Sequence, residues 1–108
     1  MIDAGDGPVL LLLHAFPCDS RMWQPQARVA ADAGWRALAL DLPGFAGSAL
    51  PQGEPSMEAV AASVLGELEG RDVSRVVVAG VSLGGYVAME LVRHFGGGVH
   101  MTLIGRGL

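Results

Sequence analysis

Lysine is absent from this chain: all seven basic residues are arginine, scattered along 108 positions rather than clustered. With 11 acidic residues the net charge is -4 and the isoelectric point about 5.1, which argues against a nucleic-acid surface. Cysteine is nearly absent too. Cys18 stands alone, which excludes a disulfide framework and a thiolate metal site, and no metal is expected. No hydrophobic run is long; the longest, Pro8 to Leu13, is far too short to cross a bilayer. No signal-peptide pattern opens the chain, because Asp3 and Asp6 stand where positive charge would be needed. Charge blocks, repeats and low-complexity segments are missing apart from Gly96-Gly97-Gly98. A soluble cytoplasmic protein that binds neither membrane nor nucleic acid is the expectation.

What is present is apolar. Hydrophobic residues make up 51% and mean hydropathy is +0.42, values high for so small a chain and suited to strands buried on both faces. One domain at most fits in this length, and half a domain is the alternative.

Taken in order, Met1 to Gly7 reads as a short polar turn. Val9 to Leu13 is a buried strand running into His14-Ala15-Phe16-Pro17-Cys18-Asp19-Ser20, a loop that closes on two N-cap residues. A helix follows from Arg21 or from Pro25 to Ala33, with Gly34 as its stop. Arg36 to Leu40 is the second strand, ending in the glycine-rich loop Asp41 to Ser48. Ser56 caps a second helix whose stripe is Met57, Val60, Ala61, Val64, Leu65 and Leu68, ended by Gly70. Val76 to Val78 form the third strand, a third helix follows at once, and Val99 to Ile104 is the fourth strand. Alternating strands and helices predict a parallel sheet with helices on both faces. With right-handed crossovers the expected strand order is second, first, third, fourth, the first helix on one face and the other two opposite. Ligands bind beside the switch point of such a sheet, where His14–Ser20 and Gly80–Gly84 emerge.

The chain is organised around the third strand and the turn that stops it, Gly80-Val81-Ser82-Leu83-Gly84. Six serines and 16 glycines give the bare Gly-x-Ser-x-Gly pattern about a one-in-eight chance of arising at random, so its context carries the signal. A strand that turns straight into a helix pinches the backbone at Ser82 and lifts its Oγ above the sheet edge. The glycines leave room for neighbouring backbone, and the helix start leaves N–H groups, Leu83's among them, to face developing negative charge. The bland alternative is a serine that only caps the helix.

Val78-Ala79-Gly80-Val81-Ser82-Leu83-Gly84-Gly85 resembles the nucleophile elbow of the α/β-hydrolase superfamily, particularly its esterase and enol-lactonase-like members. The resemblance implies that Ser82 is the nucleophile of a serine hydrolase acting on small carboxylic esters or lactones through an acyl-enzyme. His14-Ala15-Phe16-Pro17 is similar to the family's His-Gly-x-Pro loop, which implies an oxyanion hole made by the Phe16 and Leu83 amides. Here Ala15 replaces the usual glycine, and alanine fits only at negative φ. His14, Cys18 and Trp23 are expected beside the pocket. His14 reads as a histidine bonded to the loop backbone rather than as the base, since the family's base comes later in the chain. Asp41 looks like the start of the family's structural Asp-x-x-Gly-x-Gly-x-Ser loop, a turn-holding residue rather than the triad acid. His94 lies roughly three helical turns beyond Ser82 and His100 at the opposite sheet edge, so neither serves as base.

The family's acid and histidine follow strands beyond the fourth. Residues 1–108 therefore read as a single partial α/β-hydrolase domain that lacks the C-terminal half carrying the triad Asp and His. A chain of this kind is expected to be weakly active or inactive. The competing reading is a non-catalytic truncated scaffold that associates, for instance as a homodimer, through its open sheet face and its apolar edge strand. Serine at position 82 speaks against the dehalogenases and epoxide hydrolases of the superfamily, whose nucleophile is aspartate, while its cofactor-free haloperoxidases and carbon–carbon bond hydrolases share the same elbow and stay open. No cofactor is implied. Gly-x-Ser-x-Gly lacks the lysine of a phosphate-binding loop, and no Gly-x-Gly-x-x-Gly follows the first strand.

Overall fold

The computed structural model describes residues 1–43, 56–95 and the strand at 99–103. Among the described residues five strands are formed: β1 (Ile2–Ala4), β2 (Val9–Leu13), β3 (Arg36–Leu40), β4 (Val76–Gly80) and β5 (Val99–Leu103). Three α-helices connect them: α1 (Gln24–Asp32), α2 (Met57–Gly70) and α3 (Leu83–Phe95). The order in the sheet is β1-β3-β2-β4-β5, with β3, β2, β4 and β5 parallel. The four expected strands thus lie in the expected order.

One expectation is corrected. The opening segment is not only a turn, because Ile2–Ala4 pairs antiparallel with β3, Ile2 opposite Ala39 and Ala4 opposite Ala37. Three residues are too few to show a period, and the turn signals after them are real. Gly5 and Gly7 take φ of +86° and +130°, where an added Cβ would strike the backbone of Trp35 and Gly34. The Arg36 side chain then ties the edge strand down through Asp3, at 2.8 and 2.9 Å.

Alternation along the strands sorts their side chains between two layers. Leu11, Leu13, Leu38, Leu40, Val76 and Val78 face α2 and α3, packing on Ala61, Val64, Leu68, Val87, Ala88 and Leu91. Leu12, Ala37, Ala39 and Ala79 face the other way, against Trp23 and Ala27. Alanines on that face let α1 lie close, and the Trp23 ring fills the remaining space. Each fully buried leucine contributes about 1.5–3 kcal/mol, and Leu11, Leu12, Leu13, Leu38, Leu42 and Leu91 are all in that class. The core is therefore two layers wrapped on one sheet, with α1 the one α-helix on its side among the described residues.

Local signals set the helix ends. Asp19 caps a 3-10 turn at Ser20–Trp23 that leads into α1, and Pro25 sits in the first turn of α1. Both alternative helix starts thus mark real structure. Gly34, at φ +91°, ends α1. The Ser56 hydroxyl accepts the Ala59 amide at 3.0 Å to cap α2. The second helix runs through Gly70 and stops at Asp72, whose φ is +59°.

Register brings the functional loops together. Leu13 is level with Leu40 on one side and with Gly80 on the other. The three central strands therefore end at one height, and their exits share one edge of the sheet.

Candidate active site

Gly80 hands the chain to the elbow, where the Val81 amide donates to the Leu13 carbonyl at 3.3 Å, one step past the ladder. Ser82 is next, at φ +54°. A positive φ is costly for a residue with a Cβ, on the order of 1–3 kcal/mol, and persists only where the surroundings dictate it. Here the surroundings are glycines. A Cβ on Gly80 would meet the Gly84 carbonyl group and, at 2.6 Å, the Gly85 nitrogen. One on Gly84 would meet the Leu13 carbonyl, its carbon at 2.5 Å, and the His14 oxygen at 2.7 Å. Both glycines are thus required by contact of backbone with backbone. The Tyr86 amide bonds the Ser82 carbonyl at 3.1 Å and the Gly84 amide bonds Val81 at 3.0 Å, so the helix begins at once. Leu83 is its first residue, and the amide of a first-turn residue has no acceptor within its own helix.

The loop after β2 is held from several directions. His14 is fully buried, and its two ring nitrogens have different partners. The Leu42 amide donates to Nε2 at 3.0 Å, which requires that nitrogen to be unprotonated. Nδ1 lies 3.0 Å from the Ala15 carbonyl and must therefore carry the proton. This neutral tautomer has its basic lone pair occupied, so His14 bridges the β2 and β3 exits and is not placed to accept a proton from Ser82. The Ala15 carbonyl also accepts the Cys18 amide at 2.8 Å. In a trans peptide the C=O and the following N–H point in opposite directions. Two donors that fix the Ala15 carbonyl thereby direct the Phe16 N–H to the other side of the loop. Ala15 is not among the positive-φ residues, so alanine is accommodated where the related motif has glycine. Phe16 is 66% exposed and the Phe16–Pro17 peptide is cis.

Asp41 ties the same loop to the end of β3, Oδ1 accepting the Ser20 amide at 2.8 Å and Oδ2 lying 2.7 Å from the Met1 ammonium. Desolvation pushes the Asp41 carboxyl up, but the bonds from the ammonium and from Ser20 outweigh it and leave the group below the usual carboxylate range. Its carboxylate thus joins the end of β3 to the start of the 3-10 turn and to the amino terminus. Asp19 is lowered to about 2 by the side-chain bonds of Arg21, reinforced by the Arg21 amide.

The expected pocket residues have different fates. His14 and Trp23 are buried, whereas Cys18 is exposed. The Trp23 Nε1 has no hydrogen-bond partner among the described residues. An apolar groove of about 430 Å³ lies elsewhere, beside α1, lined by Leu10, Pro25, Gln26, Val29, Ala30, Ala33 and Trp35. Residues 44–48 of the Asp41 loop and the side chains of His94 and His100 lie outside the described residues. Among the described residues no cluster of His, Cys, Asp and Glu is placed to hold a metal, and no helix is long and apolar enough to cross a membrane. Reading the sequence missed the Leu42 amide and the Met22 thioether, which accepts the Ala15 amide at 3.4 Å. No motif announces either contact.

A mostly parallel sheet, a strained serine between strand and helix, and a pinned loop beside it define a hydrolase-type strand–elbow–helix core. The chain belongs to the alpha/beta hydrolase family, whose pattern it matches over residues 10–106. Its structure is similar to a thermophilic esterase from Thermogutta terrifontis, with 33% identity and a TM-score of 0.88 over 97% of this chain and 39% of the esterase. In sequence it is 33% identical over 86 residues to epoxide hydrolase 3 of Siraitia grosvenorii, covering 78% of this chain and 27% of that protein. It is 37% identical over 89 residues to the biotin biosynthesis bifunctional protein BioHC of Cellvibrio japonicus, covering 78% and 16%. The chain spans a third or less of the curated relatives it matches.

Proposed function

We propose that these residues form the nucleophile half of a serine hydrolase acting on small carboxylic esters or lactones. The observation that carries this reading is Ser82 at φ +54° between two glycines that only glycine can satisfy. Ser82 Oγ attacks the carbonyl carbon and gives up its proton to a base. The oxyanion is met by the Leu83 amide at the start of α3 and by the Phe16 amide on the pinned loop, and the alkoxide departs as the alcohol to leave an acyl-enzyme. Water then attacks the acyl carbon and gives a proton to the base; the bond to Oγ breaks, the carboxylic acid leaves and the base returns the proton to Ser82. The general base and its acid partner belong to parts of the family fold beyond the third that this chain spans. A serine rather than an aspartate at the elbow favours ester or lactone chemistry over epoxide opening, although an epoxide hydrolase is among the relatives.

The competing reading is a non-catalytic scaffold that associates through the face carrying α1 alone; the groove beside that helix supports it. Treating the purified chain with an activated short-chain ester and mapping the product by mass spectrometry separates the two. Acylation of Ser82 that vanishes in Ser82→Ala supports the hydrolase. A folded chain that stays unmodified even with imidazole supplied as an external base supports the scaffold.

A further inference from the structure

We infer that Met22 is a positioning residue for the oxyanion loop, acting through a hydrogen bond from the Ala15 amide to its thioether. The inference rests on the roles proposed above for Ser82 and Phe16. Ala15 is the residue before Phe16, and its orientation decides where the Phe16 N–H points. Its carbonyl is fixed by the Cys18 amide and the His14 ring at 2.8 and 3.0 Å. Two further ties act at the ends of the loop, His14 to Leu42 and Ser20 to Asp41. The Ala15 amide is the other polar group of that residue, and it donates to Met22 Sδ at 3.4 Å, across seven residues of chain.

Sulfur is a weak acceptor, so chemistry alone would not select it here. Placement does. Met22 lies in the 3-10 turn that Asp19 caps, and its side chain packs against the cluster of Leu12, Trp23 and Ala27 on the α1 face. The thioether is thus held by the core on one side and meets the loop on the other. A leucine at this position keeps the volume and the packing but offers no lone pair. Glutamine restores an acceptor on a chain of similar length.

The test compares amide hydrogen exchange and the Ser82 labelling rate by a fluorophosphonate in wild type, Met22→Leu and Met22→Gln. Met22→Leu is expected to speed exchange at Ala15 roughly three- to tenfold. Exchange at Leu11, Leu12 and Leu13 stays unchanged, and the Ala15 proton resonance moves upfield. Labelling of Ser82 falls by a similar factor, and Met22→Gln recovers both. Unchanged exchange at Ala15 in Met22→Leu overturns the proposal. So does acceleration spread evenly through β2, which would mark a packing role, or a failure of Met22→Gln to recover either readout. A wild-type chain that does not label even with imidazole supplied as an external base refutes the serine-hydrolase reading instead, and the Ala15 exchange still decides the Met22 bond.

Discussion

Replacing Gly84 by alanine tests the elbow without touching its serine. The new Cβ lands 2.5 Å from the Leu13 carbonyl carbon and 2.7 Å from the His14 oxygen, where ordinary contact begins near 3.4 Å. Those atoms are backbone, and Leu13 is the fully buried end of the central strand, held by β3 and β4. Neither side chains nor rotamers can absorb the overlap, so α3 must move off β2 by about 1 Å. The cost is expected at about 3 kcal/mol, the top of the usual range for one added methyl group in a packed interior. For a chain of this length that lowers the melting temperature by about 15 °C. Gly66→Ala is the matched control. Gly66 is exposed inside α2 with nothing within 4 Å of its would-be Cβ, so alanine there should stabilise by about 0.5–1 kcal/mol. Urea unfolding of both variants beside wild type reads the difference. A Gly84→Ala chain as stable as wild type would refute the close approach of elbow and β2.

Three further outcomes rest on the same structure. Ser82→Gly should stabilise the chain by about 1 kcal/mol while abolishing covalent labelling, because glycine accepts φ +54° without strain. Equal or lower stability in urea would mean that the serine is not strained. His14→Phe should cost about 2–3 kcal/mol, since the buried Leu42 amide loses its acceptor; a loss below 1 kcal/mol would show that this bond matters little. Asp3, Asp19 and Asp41 all lie below 3.8, their unfolded value. A depressed carboxylate contributes stability that is complete well above the unfolded value and is lost as pH falls through the folded one. Thermal stability should therefore fall between about pH 5 and pH 2, and less steeply in Asp41→Asn; parallel pH profiles would exclude Asp41 from the linkage.

Much of this was readable in the chain because each element carried its own signal. Alternating apolar strands and striped helices determined the order of the sheet through crossover handedness, and Gly-x-Ser-x-Gly marked the elbow through its neighbours on either side. His14 was legible as a loop-bonding histidine, although its partner Leu42 was not, being a main-chain amide 28 residues away. β1 escaped because three residues carry no period. The tie between Ala15 and Met22 escaped for a different reason. It depends on where a core side chain comes to rest against a loop, and nothing in residue type or spacing encodes that.

The most direct test is fluorophosphonate labelling of the purified chain, with circular dichroism to show that it is folded and Ser82→Ala as control. A single adduct mapped to Ser82, lost in the variant, is the outcome predicted for an elbow that presents its serine as a nucleophile. A folded chain labelled equally in Ser82→Ala, or one still unlabelled when imidazole is supplied as an external base, would contradict the assignment of Ser82 and leave the fold without its proposed chemistry.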